Sequence, residues 1–313
     1  MNHKFYSNGK LLITGEYVVL DGANALSLPT KFGQSLEIEP IDTPEIIWKG
    51  IDIKGKTWLD FTFPIHEVLI EKSQITSSLK TVDTVYKEEE TRLISILKNA
   101  QKLNATLFKK ESGFIITTKL DFPRNWGLGS SSTLINNIAT WAKIDAFVLL
   151  KNTFGGSGYD IAAAQNNNPI LYSYINNKPL IGEINLNWNF TGQLFFVHLN
   201  KKQSSSDAIK YYNLQKKKNS GLKRKINLLT IKFTICKNLS QFEKLISEHE
   251  QVISEIINKK PIKEFLFNDY QGSIKSLGAW GGDFILATGD KSNWEYFKKK
   301  GFNTILSYQE MIL

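Results

Sequence analysis

Glycines and serines dominate the segment of the chain with the clearest chemical signal. Residues 123–133 read Pro-Arg-Asn-Trp-Gly-Leu-Gly-Ser-Ser-Ser-Thr, between a β-branched run and an apolar helical pattern. Glycine lets a backbone approach a ligand without a Cβ in the way, and a helix start offers free N–H groups and a partial positive charge. The segment therefore predicts a phosphate-binding loop. Its ligand-binding residues would be Gly127, Leu128, Gly129, Ser130, Ser131 and Ser132.

The serine hydroxyls of this loop add a second kind of ligand. Mg²⁺ is a hard ion that prefers oxygen, so Ser131 and Ser132 are candidate metal ligands beside a phosphate chain. No Lys-Ser or Lys-Thr pair follows the glycines, and the loop is therefore not a Walker A sequence. A flexible serine–glycine linker is the alternative interpretation, but a linker would not stand directly between a strand and an apolar helix.

Two charged residues elsewhere are candidates for chemistry on such a phosphate. Asp160 lies in Gly-Gly-Ser-Gly-Tyr-Asp-Ile-Ala-Ala-Ala, residues 155–164. Its carboxylate either accepts or orients the proton of an attacking hydroxyl or caps a helix. Lys10 stands at the start of an apolar strand and is a solvated lysine unless it faces Asp160. In that case its ammonium group would keep the carboxylate ionised and add positive charge near the phosphates.

A third glycine-rich segment lies near the end of the sequence. Residues 276–289 read Ser-Leu-Gly-Ala-Trp-Gly-Gly-Asp-Phe-Ile-Leu-Ala-Thr-Gly. Gly278, Gly281 and Gly282 precede an apolar strand pattern there. The segment is either a second stretch of backbone that lines a phosphate site or a plain tight turn. A glycine cluster alone does not decide between these two interpretations.

Strand and helix patterns must position these residues. Residues 9–20 predict two short strands, and residues 113–120 predict the strand before the loop. Apolar residues four apart predict one helix after the loop, extending to Leu149. The other predicted strands are 34–39, 45–53, 169–184, 192–199, 283–288 and 302–307, and the other predicted helices are 91–102, 241–257 and 292–300. The β-rich start and the mixed end predict an α+β fold in two lobes, 1–165 and 166–313.

Composition and charge narrow the class of protein. The 313 residues carry a net charge of +9 and one cysteine, Cys236, which cannot form an internal disulfide. The lysines lie in short runs without interleaved aromatic residues or zinc-finger spacing, so we expect no nucleic-acid partner. No apolar stretch approaches the roughly 18 residues of a membrane helix, and no signal-peptide pattern opens the chain. We expect a cytoplasmic monomer or homodimer that acts on a small anionic molecule without membrane contact.

Three segments, in order along the chain, resemble motifs of the GHMP kinase superfamily, which includes galactokinase, homoserine kinase, mevalonate kinase and phosphomevalonate kinase. Residues 9–22 (GKLLITGEYVVLDG) resemble its first motif, residues 123–132 (PRNWGLGSSS) its phosphate loop and residues 278–283 (GAWGGD) its C-terminal glycine motif. The resemblance implies a two-lobed α+β fold, with an N-terminal lobe like ribosomal protein S5 domain 2 and a ferredoxin-like C-terminal lobe. Within the superfamily the sequence is most similar to the mevalonate and phosphomevalonate kinase branch.

The resemblance also implies ATP and Mg²⁺ as cofactors, and transfer of the γ-phosphoryl group to a hydroxyl or phosphate of a mevalonate-like substrate. Asp160, in GSGYDIA, matches the catalytic acid of the mevalonate kinase branch, and Lys10 matches the lysine paired with it. Substrate contacts are implied for Glu16, Tyr17, Ser157, Gly158, Ser205, Ser206, Gly281 and Gly282. Arg124, Lys201 and Lys202 either hold a phosphate already on the substrate or are ordinary solvated surface cations.

The sequence departs from the family pattern at several positions. Leu149 stands where mevalonate kinase has a Mg²⁺-binding glutamate, and Asp145 is the nearest acid. Trp126 beside the phosphate loop and Trp280 in the glycine motif are bulky rings that would narrow the pocket or stack on a nucleotide. Two alternatives therefore stay open. One is an ATP-dependent diphosphomevalonate decarboxylase, and the other is a catalytically inactive GHMP-fold protein that binds a ligand or polyanion.

Overall fold

The computed structural model describes residues 2–69, 87–201, 206–215 and 221–313. These residues form two compact units, each assembled from separate stretches of the chain. The first unit takes the described residues of Met1–Ser7, Gly33–Pro123 and Ser130–Ile161, and the second takes those of Asn8–Phe32, Arg124–Gly129 and Ala162–Leu313. Two long N-terminal strands and the glycine–serine segment are divided between the units. The division into lobes 1–165 and 166–313 stays a prediction.

The first unit packs helices against a sheet. Its strands are β1 (His3–Thr14), β2 (Ala25–Ile41), β3 (Glu45–Ile51), β4 (Thr57–Pro64) and β5 (Gly113–Leu120), of which β1 and β2 continue into the second unit. Its helices are α1 (Glu88–Leu103), α2 (Ser130–Ala142) and α3 (Ala146–Thr153). The strand order is β4-β3-β5-β2, and β1 pairs with β2. β3 runs parallel to β5, whereas β3–β4 and β2–β5 are antiparallel pairs.

Alternating burial along the strands shows how this unit is held together. In β3, Ile46 and Trp48 are buried while the residues next to them are partly exposed, as expected for a strand with one face on the core. Leu97 of α1 and Ile138 of α2 pack into the same core. The predicted strand before the loop and the predicted first helix are confirmed by β5 and α1.

The helix predicted after the loop is two helices, α2 and α3, so that prediction is wrong. Lys143 adopts a φ of +54° just after α2 ends. Asp145 then caps α3, because its Oδ1 accepts hydrogen bonds from the backbone N–H groups of Phe147 (2.7 Å) and Val148 (3.2 Å). Such a cap satisfies N–H groups that a helix start leaves without partners. Leu149, in α3, is buried in the core of the unit.

The strands of the second unit pair antiparallel in the orders β2-β6-β7, which belongs to the same sheet as β3, β4 and β5, and β11-β8-β10-β9. Its further strands are β6 (Ile170–Ile175), β7 (Lys178–Glu183), β8 (Leu194–His198), β9 (Ile274–Ser276), β10 (Phe284–Thr288) and β11 (Ile305–Ser307). Its helices are α5 (Ser206–Gln215), α6 (Leu222–Thr234), α7 (Leu239–Ile257), α8 (Ile262–Leu266), α9 (Trp294–Lys299) and α10 (Tyr308–Met311), and α4 (Tyr159–Ala164) begins in the first unit and ends in the second.

Two predicted strand segments have a different structure. Residues 169–184 form the hairpin of β6 and β7, because Asn176 and Asn177 adopt positive φ angles of 52° and 59°, which suit a two-residue hairpin turn. The second short strand expected within 9–20 is a 3₁₀ helix, Val18–Asp21. The sequence patterns also do not predict β4, β9, α5 or α6.

The other predicted elements of the second unit correspond to β8, α7, β10, α9 and β11. Phe195 of β8, Ile285 of β10 and Phe297 of α9 are buried together in its core. The mixture of sheets and packed helices in both units confirms the predicted α+β class. Across the described ranges, no helix has the length and apolar character needed to span a bilayer.

Candidate functional site

The three glycine-containing segments of the sequence meet in the second unit. The backbone N–H of Lys10 donates a hydrogen bond to the carbonyl oxygen of Leu128, at 2.9 Å. Gly127 has a φ of +68°, and a Cβ added there would lie 2.5 Å and 2.8 Å from the carboxylate oxygens of Asp283. Only glycine fits this position without displacing its neighbour. The first and third segments therefore both contact the predicted phosphate loop.

Trp126 anchors the loop through its ring. The indole packs edge-on against Phe32 and Phe284, with ring centroids 5.4 Å and 5.2 Å away, and lies 6.3 Å from the ring of His198. The Nε2 of His198 is 3.1 Å from the carbonyl oxygen of Asn125, the residue before the tryptophan. Aromatic pairs in this geometry add stabilisation beyond the burial of their area. Trp126 thus fixes the loop against aromatic side chains of β2, β8 and β10.

The serines that follow the loop start α2, in the first unit. Ser131 is exposed, Ser130 is partly buried and Ser132 is buried at 2% exposure. The hydroxyl of Thr133 lies 2.7 Å from Oε1 of Gln34 and 3.0 Å from the carbonyl oxygen of Ser130. Ser131 therefore presents the more accessible of the two hydroxyls that the sequence analysis assigns to a metal ion. Metal binding by Ser131 and Ser132 stays a prediction.

A buried polar network holds α2 in place, and the sequence analysis missed it. Ser7 donates to Oδ1 of Asn137 (2.7 Å), and Nδ2 of Asn136 donates to the hydroxyl of Ser7 (2.9 Å). Nδ2 of Asn137 donates to the backbone carbonyl of Gln34 (2.9 Å). Buried polar groups are costly unless they find such partners, so the network fixes how α2 packs on β1 and β2. The sequence signal for this network is the pair of adjacent asparagines, Asn136 and Asn137, within an apolar helix pattern.

Asp160 is the second residue of α4 and is partly buried. Its Oδ1 accepts a hydrogen bond from the backbone N–H of Ile161, at 3.2 Å. The preceding segment contains Ser157, which is partly buried, and Gly158, which is buried with a φ of +83°. Asp160 belongs to the first unit and Lys10 to the second. Pairing of the two, and substrate contact by Ser157 and Gly158, stay predictions.

Glu16 belongs to a buried charge cluster with His249, Glu250 and Lys275, all at most 3% exposed. The Nζ of Lys275 lies 2.6 Å from Oε1 of Glu16 and 3.3 Å from Oε1 of Glu250. Ser276 donates to Oε2 of Glu250 at 2.8 Å. Burial raises the pKa of Glu16 to about 7, although Lys275 opposes the shift, and burial also raises the pKa of Glu250.

His249 completes this buried charge cluster as a neutral ring. Burial, with the nearby charge of Lys275, holds the pKa of His249 well below its ordinary range. Its Nε2 accepts a hydrogen bond from the backbone N–H of Gly15 (3.4 Å) and lies 3.3 Å from Oε2 of Glu16. Within the described part of the chain, Oε2 of Glu16 and Nδ1 of His249 have no hydrogen-bond partner. In the structure, the groups next to the Glu16 carboxylate are side chains of the protein itself. Its contact with a substrate stays a prediction.

Tyr17 links the first segment to the third. Its hydroxyl oxygen accepts a hydrogen bond from the backbone N–H of Trp280, at 3.4 Å, and both side chains are buried. Gly281, the next residue, has a φ of +93° and open space on the side where a Cβ would project. Substrate contact by Tyr17, Gly281 and Gly282 stays a prediction.

Two further predicted positions fall at a gap in the description. Ser205 and Lys202 lie outside the described residues. Ser206 is the first residue of α5, but its side chain is also outside the description. The roles assigned to these three residues therefore stay predictions of the sequence analysis.

Comparison with known proteins shows the fold of the chain. Neither a protein-family model nor a curated protein matches it. Solved structures do match: Streptococcus pneumoniae phosphomevalonate kinase, in complex with phosphomevalonate and AMPPNP, is 15% identical with a TM-score of 0.69, covering 97% of this chain and 99% of that one. Methanococcus jannaschii mevalonate kinase is 15% identical with a TM-score of 0.67, covering 98% and 97%. A mevalonate diphosphate decarboxylase from Legionella pneumophila is 14% identical with a TM-score of 0.58, covering 98% and 100%.

These structures share one architecture over nearly their whole length. The chain therefore has the fold of the GHMP kinases, and the fold expected from the three sequence motifs is confirmed. The matched structures are a kinase of phosphomevalonate, a kinase of mevalonate and a decarboxylase of a related diphosphate. One fold hosts different reactions, so the reaction of this chain has to be argued from its own residues.

Proposed function

We propose that this chain is an ATP-dependent small-molecule kinase that transfers the γ-phosphoryl group of ATP to a hydroxyl or phosphate of a mevalonate-like substrate. The observation that carries the proposal is the glycine loop, which the Lys10 backbone contacts at Leu128 and the Asp283 carboxylate contacts at Gly127. Support comes from the fold that the chain shares with the Streptococcus pneumoniae phosphomevalonate kinase, whose solved complex holds phosphomevalonate and AMPPNP.

The phosphate chain of ATP would lie against the loop and the first turn of α2. Unpaired N–H groups at a helix start attract phosphate oxygens, and the helix dipole adds to this attraction. The exposed hydroxyl of Ser131 and the phosphates themselves are oxygen donors, which fit Mg²⁺ because this ion keeps few protein ligands in nucleotide sites. Mg²⁺ bound with ATP would neutralise charge on the phosphates. The buried Leu149 contributes no ligand.

Asp160 would act on the acceptor. Its partly exposed carboxylate would orient an acceptor hydroxyl and take its proton as the new oxygen–phosphorus bond forms and the bond to ADP breaks. Lys10 would keep the Asp160 carboxylate ionised and stabilise negative charge on the transferred group. Most of the rate enhancement would come from positioning and electrostatics, as in other phosphoryl transfers.

The test is an ADP-release assay of the whole chain with Mg²⁺ and ATP, screened over mevalonate, phosphomevalonate, homoserine and several sugars. Asp160→Asn should lower turnover by at least about 100-fold while ATP affinity, measured by calorimetry, stays near the parent value. Asp145→Asn is the matched control, because asparagine caps a helix as well as aspartate does. Near-normal turnover of Asp160→Asn would remove Asp160 from the mechanism.

Two other outcomes of the same assay would replace the proposal. Carbon dioxide released in step with ADP from diphosphomevalonate would identify the decarboxylase alternative. ATP binding without ADP release from any acceptor would identify a GHMP-fold binder that lacks catalysis.

A further inference from the structure

A cavity of about 440 Å³ opens in the second unit beside the turn that carries Trp280 and Gly281. Three lysines line it: Lys201, which follows β8, and Lys259 and Lys260, which connect α7 to α8. None of the described residues that line it is acidic. Lys201 and Gly281, for which the family resemblance implies substrate contact, line the cavity, whereas Lys10, Asp160 and the residues of the glycine loop are not among its described lining residues. We infer that this lysine cavity is a second anion site, which binds a small organic phosphate with an apolar body.

The lysine cavity differs from other lysine environments of the protein. Several described lysines have a carboxylate within 2.6–3.1 Å, namely Lys4, Lys275, Lys298 and Lys300. Among the described residues, Lys201, Lys259 and Lys260 form no ion pair. Cations gathered in a concave site without counter-charges raise the local concentration of anions. A phosphate group, with several strong acceptor oxygens, can accept hydrogen bonds from more than one ammonium group at once.

The other residues that line the cavity indicate what kind of molecule carries the phosphate group. Trp280 is buried, whereas Phe265, which also lines the cavity, is 71% exposed. Gly281 leaves its backbone open to a ligand, because nothing lies within 4 Å of the position where a Cβ would be. Ligand sites combine apolar walls with a few polar groups that fix orientation. An organic phosphate with an apolar or aromatic body of modest size fits this lining better than inorganic phosphate alone.

The inference does not depend on phosphoryl transfer, so it is tested by binding. Phenyl phosphate is the probe, phenol is its uncharged counterpart, and both are titrated into the whole chain by calorimetry. Phenyl phosphate should bind clearly more tightly than phenol. Lys259→Gln/Lys260→Gln should weaken phenyl phosphate by at least about tenfold, the loss expected from removing charge-assisted hydrogen bonds.

The matched control is Lys54→Gln/Lys56→Gln, which removes the same charge from an exposed turn of the first unit. This control should bind phenyl phosphate like the parent chain, and both double variants should keep the parent melting temperature because all four side chains are exposed. Equal affinity of the two variants would place the probe elsewhere, for example at the glycine loop, and overturn the inference. Equal binding of phenol and phenyl phosphate would overturn it as well.

A competition experiment identifies which kind of molecule carries the phosphate group that the cavity binds. An acceptor found in the ADP-release screen is added at saturation before phenyl phosphate. Displacement of the probe would mean that the lysine cavity holds an anionic group of the substrate. Unchanged probe binding would mean that the cavity serves a separate phosphorylated effector. Either result requires that the lysine-dependent binding described above is present.

Discussion

The ammonium nitrogen of Lys275 lies 2.6 Å from Oε1 of Glu16, and both side chains are buried. The pair joins β9 to the segment that follows β1. Glu250 of α7 is a further partner, with its Oε1 3.3 Å from the same ammonium nitrogen. A charge taken out of water is costly unless a partner compensates it, so each member depends on the others. This cluster sets the position of the residues between β1 and Tyr17.

Replacement of Lys275 should strongly destabilise the fold. Lys275→Met leaves two buried carboxyl groups without their cation. Above the pKa of Glu16, about 7, breaking this buried pair should cost about 3–5 kcal/mol. The measurement is therefore the free energy of unfolding in urea at pH 8. The matched control is Lys298→Met, which removes a surface pair with Glu295 (2.7 Å) and should cost no more than about 1 kcal/mol. Similar losses in both variants would show that the buried pair has no special role.

Because the pKa of Glu16 is raised in the folded state, the stability of the protein should depend on pH. The unfolded chain loses this proton near the ordinary value of 4.5, whereas the folded chain keeps it up to about pH 7. The folded state therefore binds more protons between these values, and the free energy of unfolding should fall as pH rises, by at most about 1.4 kcal/mol per pH unit from this group. Above about pH 7 the contribution of Glu16 should level off.

The Glu16→Gln variant isolates this effect. Glutamine keeps the shape of the side chain but cannot ionise, so its stability should fall less steeply than that of the parent between pH 5 and 7. Urea unfolding at several pH values gives the two slopes. Glu37→Gln, which changes an exposed carboxylate paired with Lys4, should keep the parent slope. Parallel curves for the parent and Glu16→Gln would contradict the assignment.

The sequence predicted the elements around the glycine loop because their signals are local. A β-branched run predicted β5, and regular apolar spacing predicted α1 and α7. The same spacing failed at the junction of α2 and α3, because Asp145 caps a new helix without interrupting the apolar period. The hairpin of β6 and β7 was missed because its turn consists of two asparagines rather than a glycine pair.

The buried charge cluster was beyond prediction from sequence patterns. Glu16 and Lys275 are 259 positions apart, and a charged residue in a sequence is ordinarily assigned to the surface. One signal was available in α7, where His249 and Glu250 fall on the face of Leu245, Ile246 and Ile253. Polar residues on an apolar helix face indicate partners from another element, but they do not identify which element supplies them.

Gly127 should be intolerant of a side chain. Gly127→Ala combines a strained positive φ with a clash against the Asp283 carboxylate, so it should displace the loop. We expect ATP binding, measured by calorimetry, to weaken by about tenfold or more, which corresponds to about 1.4 kcal/mol. Gly55→Ala is the matched control. Gly55 has a φ of +77° with nothing within 4 Å of a Cβ, so it carries the backbone strain without the clash.

Removal of the clashing carboxylate should rescue the loop. Asp283 itself has a φ of +53°, a conformation that glycine adopts readily, so Asp283→Gly is compatible with the turn. Gly127→Ala/Asp283→Gly should therefore bind ATP more tightly than Gly127→Ala alone. If the double variant binds no better, the contact between these two residues does not determine the loop conformation.

The buried asparagine of α2 should matter for both stability and nucleotide binding. Asn137→Ala leaves the Ser7 hydroxyl and the Gln34 carbonyl without this partner, and such a loss costs about 1–3 kcal/mol in urea unfolding. Since α2 begins at the loop serines, a shift of the helix should also weaken ATP binding measured by calorimetry. Asn99→Ala, which removes a partly exposed asparagine bonded to the Ser95 carbonyl of α1, should change stability by less than about 0.5 kcal/mol and leave ATP affinity unchanged. Equal effects of the two variants would mean that the buried network does not hold α2.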